Sequence, residues 1–169
     1  MRPHVRLSCW LHADADYLAA FQHLFLPIAY EFSPDLIIVA AGYDAADGDP
    51  MGGCHVTAAG YAHMTALLKA VAPLAVILEG GYNLAATAAG VEATLRVLLG
   101  EQPPKLPQGP MSLPSRTAMM TISHAISIQV GHLARTWPRG SCRVQHVLFC
   151  RVVALLLRHA ACCTDHQHL

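Results

Sequence analysis

Two short apolar runs frame the chain. Leu36 to Ala41 (Leu-Ile-Ile-Val-Ala-Ala) holds no polar residue, the pattern of a strand buried on both faces in a parallel sheet. Ala75 to Leu78 predicts a second strand of the same kind. Between them, Tyr61, Met64, Leu67, Leu68 and Val71 recur at helical spacing, predicting a helix capped by Thr57 and ended by Pro73. Upstream, Leu18, Phe21, Leu24, Phe25, Ile28, Ala29 and Phe32 predict a helix capped by Asp14 or Asp16, which Pro27 would kink or break. Downstream, a small-residue helix runs from about Ala85 to Leu99, with Gly100 as its stop signal. Gln102 to Pro114 holds five prolines and reads as a linker or a segment packed along the surface. Ser115 to Trp137 regains a helical pattern through Met119, Ile122, Ile126, Val130, Leu133 and Trp137, until Pro138-Arg139-Gly140 breaks it. Met1 to His12 shows no period. From Ser141 to Leu169, arginines, histidines and cysteines surround one apolar, helix-like block, Val147 to Leu157. The β-α-β-α order predicts an α/β fold with parallel strands joined by right-handed crossovers.

Composition sharpens this picture in two respects. Formal net charge is zero and only 13% of the 169 residues are charged, so no electrostatic footprint for nucleic acid or an anionic membrane is present. With 54% hydrophobic residues and a mean hydropathy of +0.37, the expectation is that part of the apolar surface meets more protein. Six cysteines (Cys9, Cys54, Cys142, Cys150, Cys162, Cys163) form no CxxC pair, and no signal-peptide pattern precedes them, which suggests a reducing, intracellular setting. The block at Val147 to Leu157 is cut by Arg151 and falls short of the ~20 residues that span a bilayer.

The candidate chemistry lies where the two strands end. Ligands in open α/β sheets bind just outside the carboxyl ends of the strands. There the first strand delivers Asp44, with no Lys or Arg nearby in sequence, and the second delivers Glu79-Gly80-Gly81-Tyr82. A metal-binding carboxylate beside a phenol donor is half of a hydrolytic site: zinc polarises a carbonyl and activates water, and the phenol stabilises the oxyanion. The other half has no motif in this chain. There is no HExxH, no Asp-x-His and no His-His, and neither Gly-x-Ser-x-Gly nor a phosphate loop. His55 and His63 flank the loop and its helix as single histidines. The cluster His159, Cys162, Cys163, His166 and His168 fits no standard zinc spacing.

Several stretches, in order along the chain, resemble the zinc-dependent histone deacetylases of class II. They are Asp14 to Phe21, Leu26 to Phe32, Ala41 to Ala46, Gly48 to Cys54 and Leu78 to Leu84. The Gly-Asp-Pro-Met-Gly-Gly-Cys loop and Gly60-Tyr61-Ala62-His63 are most similar to the second catalytic domain of the class IIb tubulin deacetylase type. The resemblance covers about Asp14 to Trp137. It implies a partial doubly wound parallel sheet with flanking helices, of the arginase/deacetylase kind and truncated on its N-terminal side. It also implies three parts: an irregular N-terminus (1–13), the C-terminal part of a deacetylase domain (14–137) and an unrelated Cys/His-containing tail (138–169).

Carried over residue by residue, the resemblance implies that Asp44 is a zinc ligand. Tyr82 is then the catalytic tyrosine that polarises the acetyl carbonyl. Met51 lines the acetyl-lysine channel, and Gly80 and Gly81 sit at the pocket wall. The family's other two zinc ligands and its His-His base lie upstream of the matched region. The expectation is therefore a fragment that is inactive alone. By family, the cofactor is zinc, the substrate an acetylated protein such as a histone or tubulin, and the location cytoplasmic, nuclear or both. The alternative is a non-catalytic interaction fragment, self-associating or pairing with a deacetylase through an open sheet edge.

Overall fold

The computed structural model describes residues 13–109, 111–136 and 144–148, with side chains up to residue 128. The elements are α1 (Asp14–Ala20), a π turn (Phe21–Phe25), α2 (Leu26–Phe32), β1 (Leu36–Ala41), α3 (Ala58–Lys69), β2 (Leu74–Leu78), α4 (Leu84–Leu98), α5 (Arg116–Thr136) and β3 (Val144–Leu148). The strands form one parallel sheet in the order β2-β1-β3, with Ile37 opposite Leu74 and Leu36 opposite Val144. The α/β class and the parallel sheet expected from the sequence are thus present.

β1 is central, yet only one of its faces is fully covered. Ile37, Val39 and Ala41 are buried, while Leu36, Ile38 and Ala40 are half-buried. The buried face joins one core with Tyr17, Phe21 and Leu24 from the first helical run, Tyr61, Met64 and Leu68 from α3, and Ala118 and Ile122 from α5. Burial on both faces, as the apolar run suggested, is therefore realised on one side only. At the edge of the sheet, β2 leaves Ile77 and Leu78 exposed.

The first helical run departs from expectation at both marked points. Neither Asp14 nor Asp16 caps it, because Ala13 occupies the cap position and no side chain closes it. Both acids are buried and reach other helices instead. Asp14 accepts bonds from the Thr57 amide at 2.8 Å and the Thr57 hydroxyl at 2.7 Å. Thr57 in turn caps α3 by accepting from the Gly60 amide. Asp16 accepts from the Ser115 amide at 2.6 Å and the Ser115 hydroxyl at 3.2 Å, and Ser115 accepts from the Ala118 amide at the start of α5. Nor does Pro27 interrupt the run. It sits at the start of α2, directly after the π turn, whose wider winding takes up a ring that cannot fit an ordinary helix interior.

α3 and α4 follow the sequence pattern closely. Thr57 caps the first, Asn83 caps the second, and Gly100 follows with a positive φ of 105°. The tail departs from it: Val144–Leu148 forms β3 beside β1, where a helix-like block was expected from Val147. The rest of that block, the Cys/His cluster, and the N-terminal histidines His4 and His12 lie outside the described residues.

Candidate functional site

The carboxyl ends of β1 and β2 stay paired beyond the last sheet residues. The Glu79 amide donates to the Ala41 carbonyl at 2.9 Å, and the Tyr43 amide donates to the Gly80 carbonyl at 2.7 Å. This pairing sets Asp44 against Gly80. A Cβ on Gly80 would lie 3.3 Å from Asp44 Oδ2, so the carboxylate packs on the glycine backbone. Among the described residues nothing donates a hydrogen bond to that carboxylate. Tyr82 follows two residues later and is 56% exposed. The sequence-predicted pair, Asp44 and Tyr82, therefore shares one rim.

Gly81 makes the turn between them. Its φ of +136° lies where side chains rarely go, and an added Cβ would overlap the Thr87 hydroxyl and approach Tyr43 Cβ to 3.1 Å. Tyr43, just before Asp44, is buried. Its hydroxyl donates to Thr94 Oγ1 at 3.0 Å on α4, and its ring packs on Tyr61 at a centroid distance of 4.8 Å. The residue before the candidate ligand is thus fixed by two helices.

The loop between β1 and α3 folds back onto Asp44. A Cβ on Gly52 would overlap the Asp44 carbonyl oxygen outright. Met51, in the same loop, is 68% exposed. Asp49, by contrast, is only 8% exposed. Its Oδ1 accepts from the Met51 amide at 2.8 Å and the Gly52 amide at 3.2 Å, and its Oδ2 accepts from the Tyr82 amide at 2.7 Å and the Asn83 amide at 3.1 Å. Sequence reading treated Asp49 only as a turn former. The Asp-Pro-x-Gly pattern does signal the local turn, in which an aspartate accepts from amides two and three residues on. The second pair of donors, from a segment 33 residues away, leaves no local signal.

Burial raises the energy of the Asp49 carboxylate, but the amide donors of Tyr82, Met51, Asn83 and Gly52 together outweigh it and hold its carboxyl below the ordinary value of 3.8. A lowered folded-state pKa stabilises the fold above the unfolded-state value and loses that contribution as pH falls through the folded-state value. The stability gap between wild type and Asp49→Asn should therefore be full at neutral pH and shrink below about pH 4. Urea melts of both proteins across pH 3 to 7 measure it, and a gap independent of pH would contradict this assignment.

The candidate metal centre is incomplete among the described residues, where no group of three His, Cys, Asp or Glu side chains is placed to hold a metal ion. His55 pairs through Nδ1 with the Asp47 carboxylate, and His63 Nε2 lies 2.9 Å from the Pro104 carbonyl oxygen. Asp44 alone does not make a zinc site, which takes three protein ligands in its catalytic form.

Comparison with known proteins places this geometry. The family model described as the histone deacetylase domain matches residues 7–98. Histone deacetylase 15 of Arabidopsis thaliana is 46% identical over 138 residues, covering 80% of this chain and 24% of that protein. Histone deacetylase HDA1 of Saccharomyces cerevisiae is 47% identical over 118 residues, covering 69% of this chain and 17% of that protein. The polyamine deacetylase HDAC10 of Homo sapiens is 45% identical over 121 residues, covering 70% and 18%. Among solved structures, the HDA15 HD domain superposes with a TM-score of 0.66 at 46% identity, over 73% of this chain and 34% of that one. The histone deacetylase Clr3 superposes with a TM-score of 0.68 at 38% identity, over 77% and 23%. The chain thus spans about a quarter or less of the curated relatives' length and about a third or less of the solved chains. Its two-strand rim, its glycine turn and its looped-back aspartate segment all lie within the matched residues, and the chain belongs to the histone deacetylase family.

Proposed function

We propose that this chain supplies the β1–β2 half of a class IIb-type, zinc-dependent deacetylase site, acting on the acetyl-lysine amide of a protein such as a histone or tubulin. The observation that supports this reading is the Asp44 carboxylate seated against Gly80, with Tyr82 two residues on along the same rim. In this reading Asp44 is one metal ligand. The Tyr82 hydroxyl donates to the acetyl carbonyl oxygen and stabilises the negative charge that develops there. Met51 lines the channel, and Gly80 and Gly81 sit at the pocket wall. Among the described residues none is placed as the general base, and this reading expects the chain alone to be inactive. In this reading the family relationship puts the chain in the cytoplasm, the nucleus or both.

Zinc content and turnover of an acetyl-lysine peptide by the purified chain test the inactivity directly. The expected result is no stoichiometric zinc and no turnover; activity lost on Tyr82→Phe would overturn it. Where this segment is joined to the remainder of a deacetylase domain, Tyr82→Phe should lower kcat about 10²–10³-fold, the usual cost of removing one oxyanion donor. Because one relative is named a polyamine deacetylase, an N-acetylated polyamine assayed beside the peptide distinguishes the two substrate classes.

A second reading rests on the edge of the sheet. The exposed Ile77 and Leu78 on β2 suit pairing with another copy of the chain or with an intact deacetylase. Size-exclusion chromatography tests self-pairing, and a monodisperse monomer argues against it.

A further inference from the structure

One buried carboxylate holds both sides of the rim. Asp49 divides its oxygens: Oδ1 serves the loop amides of Met51 and Gly52, and Oδ2 serves the strand-end amides of Tyr82 and Asn83. Gly52, held by the first oxygen, is pressed against the Asp44 carbonyl. Asn83, held by the second, donates from Nδ2 to the Gly48 carbonyl at 3.0 Å and accepts the Ala85 and Ala86 amides through Oδ1. The backbone at Asp44, Met51 and Tyr82 is therefore referred to a single side chain.

The geometry points to Asp49 as a positioning residue that fixes the gap between the Met51 wall and the Tyr82 hydroxyl, and with it the width of the channel that an acetylated amine enters. This inference rests on the reading of Met51 and Tyr82 given above. The chemistry of the role excludes near neighbours. Two pairs of N–H donors converge on two oxygens, and only an ionised carboxylate offers acceptor capacity on both. Asparagine keeps one acceptor oxygen and would turn an NH₂ toward the other pair of amides. Glutamate keeps the charge but lengthens the reach by a methylene inside a buried site.

Amide NMR on the ¹⁵N-labelled chain tests the inference. In the wild type, the amide protons of Met51, Gly52, Tyr82 and Asn83 should shift together on one titration curve as pH is lowered. In Asp49→Asn, exchange at Tyr82 and Asn83 or at Met51 and Gly52 should rise tenfold or more, while the α3 amides of Met64 and Leu68 stay protected. Separate curves for the two pairs, or unchanged exchange at all four amides in the variant, would overturn it. The wild-type titration stands even where the variant folds poorly. Tyr82→Phe, measured in parallel, should leave the shared curve intact. A failure of the catalytic reading would thus appear only in the turnover of the joined deacetylase domain, and a failure of the clamp in the spectra.

Discussion

Replacing Gly52 with alanine is expected to cost about 3 kcal/mol or more and to pull the loop away from Asp44. The cause is space rather than backbone conformation. The added methyl would occupy the position of the Asp44 carbonyl oxygen, with Ala45 Cα only 3.2 Å away. Neither neighbour is the far end of a flexible side chain. Relief requires the segment around residue 52 to move outward, which also pulls the Gly52 amide from Asp49. Urea denaturation measures the loss, and Gly109→Ala, where nothing lies within 4 Å of the added methyl, serves as the control. A variant within 0.5 kcal/mol of the wild type would show that the loop does not bear on Asp44 as described.

Tyr61→Ala should be equally damaging, at about 3–5 kcal/mol for an aromatic truncated in a core. Tyr61 is fully buried and packs on Tyr43. The cavity would open beneath the residue that precedes Asp44, so the loss should reach the rim as well as the core. Tyr61→Leu, which keeps much of the volume, should cost distinctly less. Chemical denaturation with near-ultraviolet circular dichroism follows both effects. A loss below 1 kcal/mol, or an unchanged aromatic spectrum, would contradict the packing described.

The features that organise the rim were readable because they are local. An unbroken apolar run, a threonine before a periodic stretch and a glycine pair after a strand each encode their own geometry within a few residues. The shared rim of Asp44 and Tyr82 followed from those elements and the rule that parallel strands end together. Long-range features were not readable. Asp14 and Asp16 look like caps for their own helix, and only the tertiary fold shows that they serve Thr57 and Ser115. β3 was hidden because Val144–Leu148 overlaps an apolar block that suits a helix, and its partner strand lies about a hundred residues upstream. Pro27 carries a breaking signal that the preceding π turn absorbs, and winding of that kind has no compositional mark.

The two acids of α1 have a consequence for how the protein comes apart. Thr57 and Ser115 open α3 and α5, and both rely on carboxylates only two residues apart on a third helix. A deletion that removes both Asp14 and Asp16 would release the starts of α3 and α5 in one event. Phosphorylation of one hydroxyl would free only its own helix start, placing a dianion against the buried carboxylate of Asp14 (at Thr57) or Asp16 (at Ser115).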